Sequence, residues 1–261
     1  MTDLDRPRVP GRTLLAIALL SASLLALQVL LTRVCALRLH FHFGFLVISN
    51  SLLGIGASGS LLSVFERRWR RRPETWTFCW CIAYLVSLLV AWALLLQLPV
   101  PPHLDFQKWS WSEASQFATF NLVSALPFFC GGCAVGLILA HNALNIGRVY
   151  GADLLGAGLG CLLCPLLLWS VGAGGVFLVV VALGLLAAAA AAPAGSGRTV
   201  RPIALLLVLS CLGGMPFLDA WYPVPGKGYL DVTNAYTIKE YGRPVYSRWS
   251  ANSRIDAIPL P

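Results

Sequence analysis

RVYGADLLGAGLGCLLCPLLLWS, residues 148–170, admits two incompatible readings, and the choice between them decides the fold. Gly156 and Gly158, with Asp153 nearby, match part of a dinucleotide-binding fingerprint, in which glycines bring backbone amides up to a pyrophosphate at the start of a helix. The rest of that fingerprint is missing. Cys161 occupies the place of its third glycine, no strand-like run leads in, and apolar residues follow without a break to Trp169. The alternative is a helix in lipid. Ala152, Gly156, Gly160 and Cys164 recur every four residues and so share one helical face. Lipid supplies no hydrophobic drive between helices, so association depends on small residues that let backbones approach. On this reading the glycines serve packing.

The rest of the chain supports the second reading. Of 261 residues, 57% are hydrophobic and only 11% charged, against about 25% charged in average globular domains. The net charge of +8 comes from short cationic clusters between apolar runs, a pattern that orients a chain in a bilayer and gives no reason to expect a nucleic-acid partner. A membrane-crossing helix needs about 20 apolar residues. Seven runs qualify, at about 13–33, 43–65, 77–98, 117–140, 150–170, 174–192 and 203–219, with a tight VGAGG turn (171–175) between the fifth and sixth. The fold expected is an all-α membrane protein. Residues 1–12 form an N-terminal segment, 13–219 a bundle of about seven transmembrane helices, and 220–261 a short tail with strand-like stretches. The first run is longer than a signal-peptide core and lacks a clear cleavage site, so it is expected to stay in the mature protein.

Arginine and lysine are retained on the cytoplasmic side. With the N-terminus inside, the inner segments hold Arg6, Arg8, Arg12, Arg67, Arg68, Arg70, Arg71, Arg72, Arg148, Arg198 and Arg201, and the outer loops only Arg33, Arg38 and Lys108. The expected location is a bacterial cytoplasmic membrane with a cytoplasmic N-terminus, and the expected partners are the bilayer and other membrane subunits or further copies of the chain. The segment 99–116, with Trp109 and Trp111, reads as an interfacial loop. An odd number of crossings places the tail from Ala220 outside. Either the count is off by one or the tail faces away from the cytosol.

Small residues recur in two other runs: Gly132, Gly136 and Ala140 in the fourth, and Gly54, Gly56 and Gly59 with Ser58, Ser60 and Ser63 in the second. Together with the fifth, these runs are expected to form the tightly packed centre. Ionisable groups inside a bilayer are costly and are functional candidates by default. Asp153, near the inner end of the fifth run, is one; it reads as an interfacial ion pair with Arg148 or as an N-terminal carboxylate favoured by the helix dipole, with a proton or cation relay as the alternative. Arg33, Arg38, His40 and His42 form a second cluster, either headgroup-bound or the mouth of an anion or substrate path.

Eight cysteines include two CxxC pairs, Cys130–Cys133 and Cys161–Cys164. Both lie within helical runs, where they lack the geometry of a zinc knuckle, and no metal is expected. No assembled catalytic motif is visible.

Three stretches carry a family resemblance. LTRVCALRLHFHFGFLVISNSLLGIGASGSLLSVF (31–65), PFFCGGCAVGLILAHNALNIGRVYGADLLGAGLGCLLCPLLL (127–168) and VYSRWSANSRIDAI (245–258) resemble the membrane-embedded N-terminal part of spermidine synthase-like proteins. That resemblance implies a multi-pass domain ahead of an aminopropyltransferase fold, in which a small sheet leads into a Rossmann-like domain that uses decarboxylated S-adenosylmethionine and a catalytic aspartate. Trp249, Ser250, Ser253, Arg254 and Asp256 would belong to that opening sheet. The nucleotide loop and the catalytic aspartate are absent from these 261 residues, which implies that they do not transfer an aminopropyl group by themselves and hold no cofactor. The implied role is anchoring and delivery of a polyamine or related cation to a catalytic domain. The rival expectations are a small-molecule or ion transporter-like domain and a structural membrane subunit of a larger complex.

Overall fold

The computed structural model describes residues 9–38, 43–97, 110–221, 224, 246–250 and 254–257. Within them the chain is an all-α bundle with one two-stranded β-hairpin. Its helices are α1 (Gly11–Arg38), α2 (Phe43–Val64), the short α3 (Glu66–Trp69), α4 (Pro73–Gln97), α5 (Trp111–His141), α6 (Ile146–Ala191) and α7 (Gly197–Trp221), followed by antiparallel strands β1 (Tyr246–Trp249) and β2 (Arg254–Ala257). Six helices among the described residues are long and apolar enough to cross a membrane, which makes this a multi-pass membrane protein.

One of the six crosses twice. At 46 residues α6 would reach about 69 Å if straight, more than twice the roughly 30 Å hydrocarbon core. Its backbone breaks at Gly172, where φ is 69° and ψ −178°, a region essentially restricted to glycine. Two legs result, 146–171 and 173–191, of about 39 and 28 Å. They are the fifth and sixth runs of the sequence, and the VGAGG stretch is the turn between them. The first leg runs parallel to α1, with Gly156 at Ala18 and Gly160 at Ala22. The second returns, with Val180 at Ser23 and Ala190 near Thr13.

The helix at the centre is α1, where Ile17, Leu20, Ser23 and Leu30 are fully buried. A Cβ added at Gly156 or Gly160 would collide with the carbonyls of Ala18 or Ala22, so backbone lies on backbone there. The small-residue face of the first leg therefore meets α1, and not the second and fourth runs as expected, because Ala18 and Ala22 form a four-residue repeat that matches Gly156 and Gly160. The other half of the expected centre is present. α5 lies between α2 and α4, and a Cβ at Gly54 would sit 2.6 Å from the Ala125 carbonyl, one at Gly132 2.5 Å from the Ser58 hydroxyl, and one at Gly136 2.6 Å from Leu62. Gly56 and Gly59 are exposed with open space around them.

Buried polar groups fasten these seams. The Ser23 hydroxyl donates to the Val180 carbonyl (2.7 Å) and meets the Tyr84 hydroxyl (2.7 Å), joining α1, α4 and the second leg. The Asn50 amide donates to Ser124 (2.7 Å), joining α2 and α5. Trp92 stacks on Phe177 with centroids 4.3 Å apart.

Helix ends differ from the apolar runs where capping or a continuing pattern extends them. α5 begins at Trp111 and not near 117, because Ser110 and Glu113 form a reciprocal capping box. Trp111 is thus the first helical residue, 94% exposed, and Trp109 lies outside the described residues. α7 lies against the second leg but buries little of itself.

The parity question has a geometric answer. β1 packs on α6, with the Arg248 guanidinium 4.5 Å from the centroid of Trp169, just before the Gly172 turn. Arg12 pairs with Glu74 at 3.4 Å, which holds the start of α1 to the start of α4 beside the arginines of α3. The hairpin and the arginine-rich segment therefore sit at opposite ends of the bundle.

Two predictions follow from these seams. Gly156→Leu and Gly160→Leu should each lower stability in detergent by about 1–3 kcal/mol or more, whereas Gly158→Leu, with nothing within 4 Å of its Cβ position, should stay within about 0.5 kcal/mol; thermal unfolding of the three variants reads the contrast. Gly172→Ala should cost about 1–3 kcal/mol by forcing a side chain into that φ, measurable the same way.

Candidate functional site

Asp153 lies seven residues into α6 and its partner Ser21 ten residues into α1, about 10 and 15 Å from the helix starts. Both lie on helices long and apolar enough to cross a membrane. The Ser21 hydroxyl, one turn beyond Ala18, donates to the Asp153 carboxylate. Asp153 is one turn before Gly156 on the same face, so seating Gly156 against Ala18 carries the carboxylate to the surface of α1.

Arg148 does not join it. Five residues separate the two, about 140° around the helix, and Arg148 is exposed while Asp153 is half-buried. Among the described residues no cation pairs with Asp153; the ion pairs present are Arg12–Glu74 and Glu66–Arg70.

Asp153 instead lines a cavity of about 370 Å³ between four elements. Ser21, Leu24, Leu25 and Gln28 of α1 contribute one helical face, Phe128, Gly132, Val135, Gly136 and Leu139 of α5 another, Ile55, Ser58, Gly59 and Leu62 come from α2, and Asp153 and Ala157 from the first leg of α6. Its walls are mainly apolar, with a few polar groups converging, the general character of small-molecule sites. Two of those groups have already given their protons, Ser21 to Asp153 and Ser58 to the Ile55 carbonyl at 2.6 Å, and keep only acceptor capacity.

The other candidates lie elsewhere. Arg33 is half-buried on α1. The Arg38 side chain, His40 and His42 lie outside the described residues. Ala152 packs on a small cluster of Ile17, Val149 and Ile138, one residue from the carboxylate but not in the cavity wall. Cys130 and Cys133 are buried on α5, Cys164 is buried on α6 and Cys161 is exposed. Their helices barely touch, and among the described residues no group of three or more His, Cys, Asp or Glu could hold a metal ion.

Sequence reasoning missed Ser21, Gln28 and Ser58 as neighbours of Asp153. The available signal was SASLLALQ (21–28), whose polar residues Ser21 and Gln28 are seven apart and so share a face with Leu24 and Leu25. It was masked by the leucines around it.

No protein-family model, curated protein or solved structure matches the chain.

Ionisable groups on membrane-spanning helices are costly and are functional candidates by default. Asp153→Asn, which keeps a hydrogen-bond acceptor for Ser21, should therefore raise stability at neutral pH by on the order of 1 kcal/mol. A lower unfolding temperature in detergent would instead make Asp153 a packing group.

Proposed function

We propose that this chain is the membrane domain of a spermidine synthase-like protein and that it binds a small organic cation inside the bilayer, with Asp153 as the counter-ion. The observation that carries this reading is the half-buried Asp153 carboxylate, held by Ser21 and facing a cavity of about 370 Å³ with no cation paired to it among the described residues. An intramembrane carboxylate that faces a cavity is characteristic of substrate and ion paths, whereas one directed to the headgroups would support a purely anchoring role.

What becomes of the bound cation depends on sidedness. The arginine-rich end, with Arg67, Arg68, Arg70, Arg71 and Arg72, belongs in the cytoplasm by the positive-inside rule, in keeping with a bacterial cytoplasmic membrane. The β-hairpin is then outside, because it sits at the other end of the bundle. Delivery to a domain that uses decarboxylated S-adenosylmethionine fits that placement poorly. A transport-type role, moving or presenting the cation across the bilayer, fits it better.

The test is equilibrium binding of a panel of organic ammonium ions, spermidine included, to the purified chain in lipid nanodiscs. At least one should bind to the wild type and lose at least about tenfold in affinity in Asp153→Asn, roughly 1.4 kcal/mol, with partial recovery in Asp153→Glu. A panel in which no member depends on residue 153 overturns the reading.

A further inference from the structure

The Asp153 cavity has a shape and a charge that restrict its occupant further, on the premise that it binds a cation at all. The opening is sideways. α1 and α5 form the floor, where Leu24, Phe128 and Gly132 are buried. On one side of the mouth stand Ile55, 44% exposed, with exposed Gly59 and half-buried Leu62; on the other stand Asp153 and Ala157, both half-buried. These two sides belong to α2 and the first leg of α6, which make almost no contact with each other. The gap between them faces the surroundings of the bundle at the depth of Asp153, which is acyl-chain territory.

The polar inventory narrows the ligand. The Ser21 and Ser58 hydroxyls have given their protons to Asp153 and the Ile55 carbonyl, so they offer a cation only neutral acceptor oxygens, as Gln28 does, and Asp153 is the one anionic group in the lining. A bare divalent cation needs about six or more oxygen ligands, and this donor set is too small. A polyamine brings several charges, and one carboxylate neutralises one. Each further ammonium would have no carboxylate to neutralise it among mainly apolar walls, where charge is strongly disfavoured. The arrangement suits one ammonium on an apolar body.

We infer that the Asp153 crevice takes a lipid-soluble monocation, a molecule with a single protonated amine and an apolar body, which enters from the acyl-chain region between α2 and the first leg of α6. The ammonium pairs with Asp153, and the apolar body lies along Leu24, Leu25, Phe128 and Val135. This makes the ligand class narrower than the polyamine implied by the family resemblance.

The experiment uses the full chain in nanodiscs and follows the rise in unfolding temperature with three probes: n-hexylammonium, spermidine and neutral n-hexanol. A ligand that binds the folded state raises stability in proportion to the logarithm of its concentration over its Kd. Hexylammonium should stabilise the wild type with an apparent affinity at least about tenfold above either other probe, and the effect should vanish in Asp153→Asn. Gly59→Trp fills the mouth at a position where a Cβ meets nothing within 4 Å; measured against its own ligand-free unfolding temperature, it should weaken hexylammonium at least about fivefold. Spermidine binding that depends on Asp153 and equals or exceeds that of hexylammonium overturns the monocation inference and leaves the cation-binding reading standing. Hexanol binding as well as hexylammonium removes the role of charge. An unaffected Gly59→Trp overturns lateral entry. Failure of both cations to show any dependence on Asp153 overturns the inference together with the proposed function.

Discussion

The contact between the Ala18 and Ala22 carbonyls of α1 and Gly156 and Gly160 of α6 sets the geometry of the rest. Helices in lipid are held by dispersion forces and by a few hydrogen bonds, so two helices gain most where nothing stands between their backbones. Residues four apart on one helix meet residues four apart on the other, which fixes rotation and height together. The same seating brings Asp153, one turn before Gly156, to the surface of α1, where the Ser21 hydroxyl donates to it. The second leg of α6 then returns along another side of α1, where Ser23 meets the Val180 carbonyl and the Tyr84 hydroxyl. In this way α1 becomes the post around which both legs and α4 are arranged.

The turn at Gly172 is what lets one continuous helical pattern occupy two sides of that post. Both legs are apolar, and no polar loop separates them, so a single φ of 69° replaces the usual connection. The consequence reaches the far end of the chain. With the extra crossing, α7 rises beside the second leg and the β-hairpin arrives at the Trp169 end, away from Arg12 and Glu74. A change of one backbone conformation therefore decides on which side of the membrane the polar tail emerges.

Much of this was legible in the sequence. Apolar length gave the crossings, because the hydrocarbon layer imposes a minimum that no soluble helix must meet, and the VGAGG turn was visible as glycine at the junction of two such lengths. Small-residue spacing located Gly54, Gly132, Gly156 and Gly160 at helix contacts, but spacing alone does not name the partner. Alanine is common in apolar runs, so Ala18 and Ala22 carried no signal until the glycines were seated on them. Gly56 shows the opposite error: glycine at the right interval on a face that meets nothing. Asp153 stood out as a rare charge, yet its neighbours were hidden, since Ser21, Gln28 and Ser58 become polar lining only when three helices converge. Arg148 was attractive by proximity in sequence and excluded by helical phase.

The distribution of small residues also accounts for the opening at the site. Where Gly54 and Gly132 face Ala125 and Ser58, α2 is drawn onto α5; where Gly156 and Gly160 face Ala18 and Ala22, the first leg is drawn onto α1. Each of these seams pulls α2 and the first leg toward a different partner. No matching pair of small residues draws the two together, since Gly59 meets open space and Ala157 and Leu62 line the gap from opposite sides. A bundle assembled only for stability would close such a gap with leucine, because lost packing contacts are the main cost of a void in a membrane protein. Here the gap coincides with the one carboxylate of the first leg, and the hydroxyl of Ser21 orients that carboxylate from the floor. Packing that is tight on two sides and absent on the third is the physical arrangement that leaves an acid inside the bilayer both supported and reachable.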